Sequence, residues 1–142
     1  MKIIYHIILA LFILIKSAFS SSLYQELYSS PSLTQNNEVI IFYNSLQPCF
    51  NCSNLISKII NIIKNNYTPH NFSLYLIDLK YHKEFIFHFN LHPPLNLIAL
   101  RIEDGSPSGF QKLPYSILNQ EDTISLTTTI TEFINNFFQI IP

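Results

Sequence analysis

The pattern of apolar and polar positions predicts alternating strands and helices from residue 38 onward. Residues 39–43 are uniformly β-branched or aromatic, which predicts a central strand buried on both faces. Apolar side chains then recur at helical spacing over residues 55–63, which predicts a helix of about four turns that begins near Cys49 or Phe50. Because a strand buried on both faces needs helices on both sides of its sheet, the pattern favours an α/β fold.

The second half of the chain continues this alternation. A strand, a short helix, a strand and a closing amphipathic helix are predicted at residues 72–78, 83–89, 95–100 and 127–138. Pro93 and Pro94 stop the short helix, because proline cannot continue a helix and disfavours helical geometry in the residue before it. Residues 103–109 have the composition of a turn or hairpin loop, and a further strand beside them is left open.

The first twenty residues differ in kind from the rest. Lys2 gives a positive start, residues 3–15 form an apolar run, and residues 18–20 resemble the small-x-small pattern of a signal-peptidase site. The run is shorter than the roughly 20 apolar residues of a membrane-spanning helix. We therefore expect residues 1–20 to be a cleaved signal peptide, with an uncleaved amino-terminal anchor as the alternative.

The remaining chain divides into two parts. Residues 21–37 are expected to form a lead-in segment with one helical turn around residues 23–27. Residues 38–142 are expected to form one domain, because 142 residues are of single-domain size. The composition is 48% hydrophobic, which favours a folded chain.

Charge argues against a nucleic-acid partner. Without residues 1–20, six Lys and Arg stand against nine Asp and Glu, a net charge of −3 with His neutral. The basic residues are dispersed and are not interleaved with aromatic side chains, as a nucleic-acid surface requires. No phosphate-binding loop or catalytic triad is visible, and no cofactor is expected.

Cys49 and Cys52 are the strongest candidates for chemistry. Two cysteines separated by two residues, where a strand leads through a loop into a helix, indicate a redox pair. The positive end of the helix would stabilise the thiolate of Cys49 and lower its pKa from the free value of about 8.5. Cys52, one turn further on, is close enough to attack a mixed disulfide and release a substrate.

The cysteines have two other interpretations. A structural disulfide is the first, although a loop this short removes little unfolded-state entropy. A zinc site is the second, since Cys49, Cys52, His88 and His92 formally match a two-cysteine, two-histidine pattern. The 35 residues between Cys52 and His88 are far more than the usual spacing of roughly 12 to 15, so no metal is expected.

Three nominal N-glycosylation sequons begin at Asn51, Asn66 and Asn71. The chain is rich in Asn, Ser and Thr, so their number proves nothing. A glycan on Asn51 would obstruct the cysteines, and we expect that site to stay bare. Asn66 and Asn71 flank the loop between the predicted helix and strand and remain open to modification.

The order and spacing of several short segments resemble the thioredoxin superfamily. Within it they look most like the lumenal domain of the oxidoreductase subunit of oligosaccharyltransferase, the OST-gamma type. The matching segments are residues 26–31, 39–43, 46–52, 76–78, 85–91 and Pro94. The resemblance implies a thioredoxin-like α/β fold with a central mixed sheet and helices on both faces.

The resemblance also assigns roles to residues. Pro94 would hold the cis-proline position that faces the cysteines and pairs with a substrate backbone, although Pro93 directly before it leaves open which proline does so. The position of the buried acid of thioredoxins falls on Ile41 or Tyr43 here, depending on the loop alignment. Without that acid we expect slow proton transfer from Cys52, and hence a substrate-holding dithiol.

The resemblance implies a function in the endoplasmic reticulum lumen. There, Cys49 and Cys52 would form transient mixed disulfides with nascent or client polypeptides and assist N-glycosylation as part of the transferase complex. The family follows this domain with four membrane spans, and membrane contact here is expected only through partners or an uncleaved signal. The alternatives are a protein-disulfide-isomerase-like domain independent of the transferase and a redox-inert peptide-binding adaptor.

Overall fold

The computed structural model describes residues 24–28, 37–104 and 106–141. Within these residues the elements in chain order are β1 (Tyr24–Tyr28), β2 (Glu38–Tyr43), α1 (Cys52–Asn66), β3 (Ser73–Asp78), α2 (Glu84–Phe89), β4 (Leu95–Glu103), β5 (Ser106–Pro114), α3 (Tyr115–Leu118) and α4 (Thr123–Phe138). The predicted signal peptide and most of the lead-in segment lie outside the described residues.

The five described strands form one mixed sheet in the order β1-β3-β2-β4-β5. Strands β2 and β3 are parallel, and the other neighbouring pairs are antiparallel. Strand β2 lies at the centre, as its uniformly apolar sequence predicted. Because β2 and β3 run in parallel, they end at the same edge of the sheet, with Tyr43 opposite Asp78.

Each face of the sheet carries its own apolar core. On one face, even-numbered residues of β2 and β4 pack with Phe85 and Phe89 of α2. On the other face, odd-numbered residues of the same strands pack with α1 and α4. This alternation follows from the period of two along a strand. Helices therefore cover both faces, and the predicted thioredoxin-like α/β class is confirmed.

Helices α1 and α4 owe their positions to apolar residues at helical spacing. In α1 the buried residues are Leu55, Ile59, Ile62 and Ile63. Helix α4 begins where Asp122 accepts hydrogen bonds from the Ile124 backbone at 3.1 Å and from the Ser125 hydroxyl at 2.8 Å. The bond from Ser125 and, to a smaller extent, the bond from Ile124 lower the pKa of the Asp122 carboxyl.

Several predicted boundaries are wrong. The expected helical turn around residues 23–27 is strand β1, because this segment pairs with β3. Residues 106–109 belong to β5 rather than to a loop, and the chain reverses at Asp104, whose φ is 52°. Helix α1 begins at Cys52 rather than at Cys49 or Phe50, because Asn51 has a left-handed conformation that no helix continues. Helix α3 was not predicted.

None of the described helices is long and apolar enough to cross a membrane.

Candidate functional site

The two cysteines form a disulfide at the amino-terminal end of α1. Their Cα atoms are 5.0 Å apart, and both residues are half-buried. The backbone N–H of Cys49 donates to Sγ of Cys52 at 3.0 Å, and the N–H of Cys52 donates to the Cys49 carbonyl at 3.2 Å. Asn51, with φ 65°, makes the sharp bend that lets Cys52 open the helix. The short loop therefore holds both sulfur atoms at the helix end.

The electrostatics of this helix end favour a thiolate. The first backbone N–H groups of a helix lack partners within it and carry partial positive charge. The first turn of α1 contains no acidic residue that would oppose this charge. When the disulfide is reduced, this helix end is therefore expected to favour the thiolate form of a neighbouring cysteine.

The loop between β2 and α1 is fastened at two points to the neighbouring strands. The N–H of Asn44 donates to the carbonyl of Pro94 at 3.1 Å, and the N–H of Ser45 donates to Oδ1 of Asp78 at 3.2 Å. Oδ1 of Asp78 also accepts from the N–H of Lys80 at 2.9 Å. Because β2, β3 and the start of β4 meet at one edge, these bonds link the loop to the sheet.

Pro94 lies beside the disulfide, and the Pro93–Pro94 peptide bond is cis. Pro94 lines a cavity of about 310 Å³ that it shares with Cys49, Cys52, Tyr43 and residues of the intervening loop. Pro93 is exposed and does not line this cavity. The structure therefore places Pro94, of the two candidate prolines, against the disulfide.

Tyr43, and not Ile41, is the β2 residue next to the cysteines. Ile41 is fully buried in the core beneath α1, whereas Tyr43 is half-buried and lines the cavity. Burial, and then the negative charge of Asp78 and the nearby Tyr81, raise the pKa of Tyr43. Its hydroxyl therefore stays protonated at physiological pH and does not take up a proton.

A second cavity, of about 320 Å³, lies on the other side of Asn51. It is lined by Phe50 and the amino-terminal part of α1 on one side and by residues 119–121 on the other. Phe50, between the cysteines, is 91% exposed, and Leu46 in the preceding loop is 58% exposed. Both cysteines line the first cavity, the second cavity shares only Asn51 with it, and exposed apolar side chains lie in the same loop.

The zinc pattern is not assembled. Cys49 and Cys52 are joined to each other, and His88 lies on α2, on the sheet face opposite α1. Among the residues that the structure describes, no three His, Cys, Asp or Glu side chains come together to hold a metal ion.

Sequence reasoning missed Asp78 and Asn44 as parts of the site. Asp78 is 5% exposed and fixes the cysteine loop through Ser45. One signal was available, since the carboxyl ends of parallel neighbouring strands meet at one sheet edge and Asp78 ends such a strand. Asn44 contributes a backbone N–H, and the identity of its side chain gives no sign of that contact.

Comparison of the chain with protein families, curated proteins and solved structures finds no match.

Proposed function

We propose that the chain is a thiol–disulfide oxidoreductase that exchanges disulfides with client polypeptides through Cys49 and Cys52. The observation that carries the proposal is the shared cavity: the disulfide at the start of α1 and Pro94 line the same cavity. Client segments are expected to be apolar near their cysteine, because exposed Phe50 and Leu46 flank the disulfide.

The chemistry needs only the two cysteines and the client. In the reduced protein, the Cys49 thiolate attacks one sulfur of a client disulfide, which forms a mixed disulfide and releases one client thiolate. Cys52 then loses its proton to solvent and attacks Sγ of Cys49. The Cys49–Cys52 disulfide closes, the second client thiolate leaves, and two electrons have passed to the client. The reverse sequence oxidises a client dithiol.

The direct test combines a redox equilibrium with trapping. We expect the pair to equilibrate with glutathione at about −200 mV, within the range of lumenal redox catalysts. The Cys52→Ala variant should accumulate mixed disulfides on Cys49, and the matched Cys49→Ala variant should accumulate far fewer. A potential below about −300 mV together with no adducts would leave a structural disulfide and support the redox-inert adaptor.

On the resemblance, we further propose that the clients are chains undergoing N-glycosylation and that this protein acts with an oligosaccharyltransferase in the endoplasmic reticulum lumen. A mixed disulfide would delay client folding and keep acceptor Asn residues accessible. Purification of the tagged Cys52→Ala variant should then recover transferase subunits together with disulfide-linked glycoproteins. Recovery of disulfide-linked clients without the transferase would favour the isomerase-like alternative.

A further inference from the structure

A third cavity, of about 520 Å³, lies at the other end of α1, between that helix and α4. We call it the amide groove, and it is lined by Asn66, Tyr67, Asn71, Thr127, Thr131, Asn135, Ile140 and Ile141. Its volume falls in the range of roughly 300–1,000 Å³ typical of ligand sites. The lining side chains are amides, hydroxyls and aliphatic groups, none of which carries a charge at neutral pH. Burial raises the pKa of Tyr67 to about 12, so its hydroxyl is neutral as well. The groove therefore suits a neutral, polar ligand.

The groove chemistry matches a carbohydrate. Amides and hydroxyls supply both donors and acceptors for sugar hydroxyls, and Ile140 and Ile141 supply apolar surface for a ring face. The Tyr67 hydroxyl donates to Oδ1 of Asn135 at 2.7 Å and approaches the Thr131 carbonyl at 3.2 Å, which fixes one wall of the groove. A sequon begins at Asn66, which itself lines the groove.

We propose that Asn66 is an N-glycosylation site and that the amide groove receives the first sugars of its glycan. Asn66 and Thr68 of this sequon are both exposed. Asn71, by contrast, is half-buried in the turn that it forms with Thr68, so the folded chain leaves more room for a glycan on Asn66. The proposal requires that the chain enter the secretory pathway, but it does not require an active dithiol.

The covalent step balances with one co-substrate, a lipid-pyrophosphate-linked oligosaccharide supplied by the host. Nδ2 of Asn66 bonds to the anomeric carbon of the first sugar, the bond from that carbon to the pyrophosphate oxygen breaks, and Nδ2 gives up one proton. In the folded chain Nδ2 donates to the Ile62 carbonyl at 2.7 Å, and the N–H that remains after transfer can keep this bond.

The hydrogen bonds around Thr68 indicate when transfer occurs. In the folded chain the Thr68 hydroxyl bonds Oδ1 of Asn71 at 3.3 Å, and the Thr68 N–H donates to the same oxygen at 2.9 Å. In the folded chain the Thr68 hydroxyl therefore bonds Asn71 and not Asn66, the acceptor residue of its own sequon. Transfer to Asn66 is accordingly expected on the chain before this turn forms.

The position of Asn66 keeps a glycan away from the disulfide. Helix α1 has 15 residues, and at a rise of 1.5 Å per residue its ends are about 21 Å apart. Asn51, in contrast, lines the cavity that contains the cysteines, so a glycan there would obstruct it.

The test expresses the full chain through the secretory pathway of eukaryotic cells and counts glycans by the gel shift that peptide N-glycosidase removes. Thr68→Ala should lose one glycan, whereas the matched Thr68→Ser variant should keep it. Asn71→Asp, which preserves the acceptor oxygen, and Ser53→Ala should leave that glycan in place. A chain without any glycan, or one whose glycan survives Thr68→Ala, would overturn the assignment.

A second measurement tests the groove. The glycosylated protein should unfold about 4 °C above the same protein without its glycan, a shift expected for a modest added contact in a domain of this size. The double variant Thr127→Val, Thr131→Val should keep the glycan but lose this difference. Equal midpoints with and without the glycan would show that the sugars do not occupy the groove. Neither readout depends on Cys49 or Cys52, so failure here is separate from failure of the proposed exchange chemistry.

Discussion

Replacement of Asp78 by alanine is expected to loosen the loop that carries the disulfide. The change removes two backbone hydrogen bonds, from Ser45 at 3.2 Å and from Lys80 at 2.9 Å. A hydrogen bond to a charged acceptor contributes roughly 1.5–3 kcal/mol. Because Ser45 and Lys80 are exposed and water can replace part of each bond, the low end applies, and we expect a loss of about 3 kcal/mol in the free energy of unfolding.

The Asp78→Asn variant is the matched control. It keeps an acceptor oxygen of the same reach and removes only the charge, so a loss of about 1 kcal/mol is expected. Because the charge of Asp78 helps to raise the pKa of Tyr43, this variant should also lower that pKa, while burial keeps it above the ordinary value. The two variants thus separate the anchoring of the loop from the electrostatic effect on Tyr43.

Three measurements check this reasoning. Urea unfolding gives the loss of stability, and amide hydrogen exchange at Ser45 should be protected in the wild type and in Asp78→Asn but fast in Asp78→Ala. In a Cys52→Ala background, Asp78→Ala should slow adduct formation on Cys49 by about tenfold, the effect of roughly 1.4 kcal/mol of lost positioning. The argument fails if Asp78→Asn is as damaging as Asp78→Ala, or if the Ser45 amide stays protected in the alanine variant.

Two further predictions concern the core around α1. Tyr67→Phe removes the hydroxyl that bonds Asn135 and Thr131, and urea unfolding should show a loss of about 1 kcal/mol. Burial raises the folded pKa of Tyr67 to about 12 against about 10 in the unfolded chain, so the unfolded chain loses this proton first and the wild type should lose stability as the pH rises from 10 towards 12, whereas Tyr67→Phe should lack this step. Ile59→Ala, at a fully buried position, should cost about 2–5 kcal/mol in urea unfolding, against less than about 0.5 kcal/mol for exposed Lys58→Ala.

The sequence predicts well those elements whose local pattern of apolar residues is compatible with only one kind of secondary structure and burial. Residues 39–43 are apolar on both faces, and such a segment is stable only between two helical layers, where β2 lies. Residues 55–63 have a clear helical stripe and form most of α1. In both cases burial against any apolar partner is enough, so the identity of the partner did not matter to the prediction.

Two of the wrong predictions are strands that are fixed by pairing with another strand. Strand β1 becomes a strand only because it pairs with β3, about fifty residues later, as with Tyr24 opposite Ile77. Pro107 and Gly109 suggested a loop, yet they lie in β5 at the edge of the sheet, beside an irregularity between Arg101 and Ile102. An edge strand with a bulge tolerates such residues, because its outer side forms no ladder.

The site follows the same division. Local sequence was sufficient to select Cys49 and Cys52 as candidates, because they belong to a short pattern with a chemical meaning. Pro94 came from the resemblance, which left Pro93 open as the alternative until the structure placed Pro94 in the cavity of the disulfide. The contacts of Asp78 and Asn44 could not be predicted in this way, since they arise from the meeting of β2, β3 and β4 at one edge. A prediction of these contacts needs the strand order, which no local pattern contains.

The chemistry around Cys52 bears on how long a mixed disulfide would persist. None of the described residues that line the cavity carries a carboxylate or an imidazole, and Tyr43 has a raised pKa that keeps it protonated. In the proposed exchange Cys52 must lose its proton before it attacks, and solvent would have to take that proton. Slow resolution would make this dithiol better suited to holding a client than to rapid turnover, while the helix end would still favour the first attack by Cys49.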